Sequence, residues 1–246
     1  MKKLLLLFLF TSLVTTGANA QLKDMLGKAK DKVAAATGGS GSLNNVDIGS
    51  ALKEALNKGV TEQVTKLTAV DGFYKNEAVK ILLPQELQVV DKKLRQMGMG
   101  KLADEGLLVL NRAAEDAVKE ATPIFVNAIT SMTITDAKNI LMGADNSATT
   151  YLQKTTSTPL YSKFNPVVQT SLSKVGADKV WAGIISKYNS LPLVTKVNPD
   201  LNDYVTNKAL DGVFKMISVE EKNIRTNLSS RTSDLLKKVF ALQDKK

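Results

Sequence analysis

The stretch KLADEGLLVLNRAAEDAVKEA, residues 101–121, limits the fold more than any other part of the chain. Leu107, Leu108, Leu110, Ala113, Ala114, Ala117, Val118 and Ala121 recur at helical spacing and cover more than half of the helix circumference. A helix that apolar must be contacted from several sides, so it predicts the centre of a multi-helix domain. The flanking sequence supplies the neighbours. Leu52, Leu56, Val60, Val64 and Leu67 form one apolar stripe, and Pro84 opens a further helical run that Gly98 closes. Beyond Pro123 the spacing predicts helices near 123–131, 135–142, 146–156, 165–174, 177–189, 201–224 and 229–242. Breaks are expected at Gly143, Pro159, Pro166, Gly176, Pro192 and Pro199. Thr135-Asp136 and Ser233-Asp234 read as helix starts. Residues 78–84, AVKILLP, are the lone strand candidate and have no evident partner. The expected fold is all-α: a single compact multi-helix domain of about nine or ten helices over 47–242, with no substantial sheet and a short tail at 243–246.

The N-terminus predicts a destination. Lys2 and Lys3 precede a short apolar run from Leu4 to Phe10, and Ala18-Asn19-Ala20 follows. This is the pattern of a cleavable secretory signal over residues 1–20, cut before Gln21, and its apolar core is too short to span a bilayer. No cysteine follows the cut, so no lipid anchor is expected. The expected location is the periplasm. Residues 21–46 then form an arm. Leu22, Met25, Leu26, Ala29 and Val33 alternate with lysines at helical spacing over 22–36, and TGGSGS (37–42) is a flexible linker. Such an arm either makes weak contact with a membrane surface or is an ordinary, weakly ordered extension.

The chain contains neither histidine nor cysteine. Imidazole- and thiol-based nucleophile activation, His-mediated proton transfer and nearly all zinc or copper sites are thereby excluded, and disulfides cannot contribute to stability. No cofactor or metal is implied. Formal charge is +9, or +7 once Lys2 and Lys3 leave with the signal. The lysines are spread rather than blocked, which fits a solvated surface; for an exported chain nucleic acid is the least suitable anionic partner.

Two heptads nearly repeat: AVDGFYK at 69–75 and ALDGVFK at 209–215. Self-comparison of a chain this long yields on the order of ten such matches by chance, so the pair does not establish a duplication. Their contexts differ. Asp71-Gly72 falls at a helix end, where glycine readily takes a left-handed conformation. Gly212 falls inside a helical run, where it costs about 1 kcal/mol relative to alanine, so another helix is expected to pass close to it.

Of 33 basic residues only four are arginine: Arg95, Arg112, Arg225 and Arg231. A lysine-rich chain can reserve arginine for sites needing a planar, two-pronged donor. Arg112 lies three residues before Glu115, and Arg225 four after Glu221 on a run that also carries Asp211. Asp71, Arg112, Glu115, Asp211, Glu221 and Arg225 are therefore the candidate site: a structural ion network, or a place where Arg112 and Arg225 converge on an anionic ligand. Residues 143–147, GADNS, could expose amides at a helix start but match no phosphate-loop spacing. Trp181 and Tyr188 read as core.

The blocks ALKEALNKGV, AVDGFYKNEAVKILLP, LNRAAEDA, MTITDAKNIL, SATTYLQKTT, YVTNKALDGVFKMISVEEKNIR and RTSDLLKKVF, taken in order, resemble domain-of-unknown-function family 4197 of exported bacterial proteins. The resemblance runs from about Leu43 to Phe240. Its most specific parts fall at Asp71 to Tyr74, Asn111 to Glu115 and Ala209 to Arg225, with mild variants at Val213 and at Ser218-Val219. The resemblance implies an exported, mainly helical protein and supplies no activity or catalytic residue.

Two functional readings follow. One is a non-enzymatic envelope protein that binds a small apolar or anionic molecule, or a protein partner, with a cavity expected between 101–121 and 201–224. The alternative is a carboxylate-based hydrolase of envelope glycan. That reaction needs two of Glu115, Glu221 and Asp211 facing one cleft about 5–9.5 Å apart.

Overall fold

A computed structural model describes residues 45–84, 88–198 and 200–244. The expected signal over 1–20 and most of the expected arm over 21–46 lie outside the described residues.

Helices account for nearly all regular structure. They are α1 (Asn45–Thr68), α2 (Gln88–Gln96), α3 (Gly100–Val118), α4 (Ala121–Thr130), α5 (Ile134–Met142), α6 (Ser147–Ser173), α7 (Ala177–Asn189), α8 (Leu201–Thr226) and α9 (Asp234–Phe240), with a 3-10 turn at Leu228–Ser230. The all-α single domain is as expected. Among the described residues there is no strand, and 78–84 is irregular.

The centre is built from α1, α3, α6 and α8. Helix α3 packs against the other three, and α6 lies along α8. Helices α4, α5 and α9 cover α1, α2 lies on α3, and α7 rests on α6 and α8. The broad apolar face of α3 behaves as its sequence requires. Ala113, Ala114, Ala117 and Val118 are at most 1% exposed, and their small size lets neighbouring helices approach closely. Among the described side chains burial starts at Leu107, and residues 104–106 face solvent. Phe73, Phe125 and Phe164 are fully buried, each contributing roughly 1.5–3 kcal/mol of hydrophobic stabilisation.

Two expected breaks do not occur. Residues 147–173 form one helix straight through Pro159 and Pro166, where two shorter helices were expected. Each proline removes one backbone donor and leaves the carbonyl four residues earlier without a partner. Those carbonyls belong to Thr155 and Ser162, both on the exposed side, where water can satisfy them. The opposite face carries Leu152, Thr156, Leu160, Phe164, Val168 and Leu172 at strict four-residue spacing, all buried. Packing along that line outweighs the local cost of the prolines.

Cap positions follow side-chain chemistry. Thr133, two residues before the expected start at Thr135, forms a reciprocal capping box with Asp136. Ser233 caps α9 as expected, accepting from the Leu236 amide. Gln243 accepts a hydrogen bond from Arg225, and Asp244 pairs with Arg231.

Candidate functional site: two guanidinium–carboxylate clusters

The first cluster joins the end of α1 to α3. After Thr68 the chain turns at Asp71, which has φ 69°, so the left-handed residue is the aspartate rather than Gly72. Gly72 is needed for a different reason: a Cβ there would collide with the carbonyls of Lys66 and Leu67 at the end of α1. The turn aims two backbone amides at the buried Glu115. Phe73 N–H and Tyr74 N–H donate to Glu115 Oε1 at 3.0 and 3.4 Å. Arg112 donates through Nη1 to Glu115 Oε2 at 2.5 Å and through Nη2 to Asp71 Oδ1 at 2.6 Å. Lys75 approaches the other Asp71 oxygen at 2.8 Å. The Lys75 hydrogen bond, with Arg112 behind it, holds the Asp71 carboxyl below the usual range. The Glu115 hydrogen bond, together with Asp71, raises the Arg112 guanidinium above its ordinary value.

One residue before Arg112, Asn111 does for residues 78–84 what a strand partner would do. Its side-chain oxygen accepts from Ile81 N–H at 2.8 Å and its amide donates to Ile81 O at 2.9 Å. Both backbone groups of Ile81, a buried residue of this irregular segment, are thereby satisfied by one carboxamide.

The device has a purpose visible in the packing: it drives Phe73 into the core. The Phe73 ring lies on Gly212, where an added Cβ would sit 2.6 Å from ring Cε1. The glycine inside α8 therefore makes room for an aromatic side chain, not for a neighbouring helix. The two similar heptads meet each other, one supplying the ring and the other the notch.

The second cluster is held by α8. Glu221 accepts from Ala148 N–H, Thr149 N–H and the Thr149 hydroxyl, all at 2.8 Å. These are first-turn groups of α6, so the carboxylate sits at the positive end of that helix. Arg225 donates to Glu221 through Nε at 3.0 Å and Nη2 at 2.8 Å. Its remaining donors reach the carbonyls of Ile140 and Leu141, at the negative end of α5, and Gln243 Oε1. All five guanidinium N–H groups are thus used. One ion pair on α8 clamps the α5–α6 junction, with each charge matched to a helix end. Arg231 extends the arrangement. It donates to the carbonyls of Ile224 and Arg225, at the end of α8, and pairs twice with Asp244.

Asp71, Arg112, Glu115, Glu221 and Arg225 all lie in the blocks that carried the resemblance. Residues 42–241 match the model of a family described as protein of unknown function (DUF4197). The chain belongs to that family. No match was found among curated proteins or among solved structures.

In this DUF4197 protein five of the six candidate residues fall into the two clusters, which share no partner. Asp71, Arg112 and Glu115 form one, and Glu221 and Arg225 the other. Asp211 joins neither: it is exposed and touches Lys208 at 3.3 Å. The residues that the sequence did not single out are Asn111, Arg231, Gln243 and Asp244. Arg231 carried a signal, since it is one of only four arginines. All four pair with carboxylates, Arg95 doing so at the surface with Asp91 and Asp104. A concavity beside the Glu221–Arg225 cluster lies between α1 and α8, and no residue of 101–121 lines it. It is lined by Leu52, Leu56, Gly59, Ile217, Ile224 and Phe240, and its volume is about 30 Å³. That is room for a water molecule or so, far below the roughly 300–1,000 Å³ of a small-molecule site. Among the described residues no three acidic side chains gather as metal ligands.

Proposed function

We propose that this DUF4197 protein is a non-enzymatic component of the cell envelope that acts by presenting a rigid helical surface to a binding partner. One observation carries the reading: the groups best suited to bind or transform a small anion are already occupied by the chain itself. The amides of Phe73 and Tyr74 hold Glu115, and those of Ala148 and Thr149 hold Glu221. An incoming carboxylate or phosphate would have to displace a buried glutamate. The same saturation argues against glycan hydrolysis. Glu115 and Glu221 are buried in separate clusters, and Asp211 faces solvent beside a lysine. The narrow α1–α8 concavity supports a surface partner over an enclosed apolar ligand. The N-terminal signal pattern supports placement in the periplasm.

Native mass spectrometry of protein recovered from the periplasm tests this reading. The expected mass is that of a chain starting at Gln21, alone or with another protein. A stoichiometric small-molecule adduct would replace the surface reading, and a cytosolic full-length chain would remove the envelope assignment.

A further inference from the structure

Away from both clusters, α7 and the loop after it differ from the rest of the surface. Between Lys179 and Pro199 the sequence has three lysines, Lys179, Lys187 and Lys196, and no acidic residue. The same module exposes Val180, Leu191 and Leu193, each at least 55% accessible. Leu193 is fully accessible and has φ 60°, a backbone conformation that a leucine adopts only at a cost.

That conformation is held by construction. Asn189 closes the loop by donating to Val197 O at 2.8 Å and accepting from Val197 N–H at 2.9 Å. Trp181 anchors the base, donating to Asn198 O at 3.3 Å and stacking on Tyr204 at 5.9 Å. The nearest acidic residues lie at the ends of the run, Asp178 beside Lys179 and Asp200 exposed at the start of α8, and each already holds a hydrogen-bond donor. Asp178 takes the Ser173 hydroxyl, Asp200 caps α8, and Asp203 takes Tyr161 and Asn198. What projects is a pinned Leu-Pro-Leu-Val tip flanked by lysines.

Resting on the surface-binding reading above, we infer that this tip docks on an anionic lipid bilayer. Leu191 and Leu193 enter the interface while Lys179, Lys187 and Lys196 meet the headgroups. Apolar side chains alone would suit any greasy surface; the acid-free run of lysines selects a negatively charged one.

The absence of native cysteine permits a direct test. A polarity-sensitive fluorophore is placed on the full chain at Leu193→Cys, or at Thr135→Cys as control. Thr135 is exposed on α5, which precedes α6, whereas α7 and its loop follow the end of that 27-residue helix. Vesicles are phosphatidylcholine, with or without phosphatidylglycerol. The expected result is a blue-shifted, brighter probe at 193 with phosphatidylglycerol vesicles, weakened by high salt, and no change at 135. Leu191→Ser/Leu193→Ser should keep the melting temperature and lose about tenfold in vesicle affinity. A probe at 193 that stays in water while the chain floats with vesicles would assign attachment to another region and overturn the inference. Equal response to neutral vesicles would overturn its electrostatic half. A shift that depends on protein concentration without vesicles would give the loop to a second copy of the chain, and no association at all would also sink it. In each case the mass-spectrometric outcome decides the surface-binding reading separately.

Discussion

The Arg112–Glu115 and Arg225–Glu221 pairs use the same chemistry within the same domain, yet their surroundings differ. Both glutamates are buried and both collect two backbone amides. The arginines part company: the Arg112 side chain is 37% exposed, whereas that of Arg225 is 2% exposed. Arg225 holds two helix ends and Gln243 together and has no donor facing water. Arg112 bridges a turn to a helix with one edge in solvent. The comparison separates two functions of an ion pair. One replaces the solvation of several helix termini at once; the other fixes the conformation of a loop so that a neighbouring aromatic is delivered to the core.

The largest expected effect comes from Arg225→Met. It leaves Glu221 buried without its cation and strips the carbonyls of Ile140 and Leu141 of a donor. A loss of about 3–5 kcal/mol is expected in denaturant unfolding. Arg112→Met should cost only about 1 kcal/mol, because water can reach the vacated position and screens the pair already. Equal losses for the two variants would break the comparison.

Gly212→Ala probes what the first cluster delivers. The new methyl would strike the Phe73 ring, and a loss of about 1–3 kcal/mol is expected. Combined with Asn111→Ala, which frees the segment around Ile81, the two losses should add to less than their sum. Both act by loosening the same loop against α8. Strict additivity would show that the 71–81 segment and the glycine notch are energetically independent.

Helix positions were legible because four-residue apolar periodicity survives in the sequence, and the buried line from Leu152 to Leu172 is a direct copy of it. The same line explains an error. Pro159 and Pro166 were read as stops by local chemistry, and only the packing of the opposite face shows why the helix continues. Arginine scarcity pointed to Arg112 and Arg225, and i,i+3 or i,i+4 spacing pointed to Glu115 and Glu221. Spacing cannot show which distant amides a carboxylate will meet, so the partnership of Glu221 with Ala148 and Thr149 was invisible. Asp211 illustrates the limit from the other side. It shares a helix with Glu221 and Arg225, but helix phase turns it to solvent, and proximity in sequence became no contact. Asn111 was hidden because a carboxamide substituting for a strand partner has no local pattern.

The smallest expected effect concerns Asp71, and it sharpens the comparison through pH. Its carboxyl titrates below the ordinary value of 3.8 because Lys75 and Arg112 favour the charged form. A folded-state value depressed below the unfolded one means that the charged carboxylate contributes stability above the unfolded value. That contribution is lost as pH falls through the folded value. Asp71→Asn should therefore melt slightly below the parent chain at neutral pH, and the gap should close only under acid conditions, below about pH 4. Arg112→Met should show part of the same acid dependence, since it removes one of the two cations that depress Asp71. Arg225→Met should leave it intact, because its cluster does not touch Asp71. A gap between parent and Asp71→Asn that stays constant down to pH 2 would mean that Asp71 acts by shaping the left-handed turn, with its charge contributing nothing.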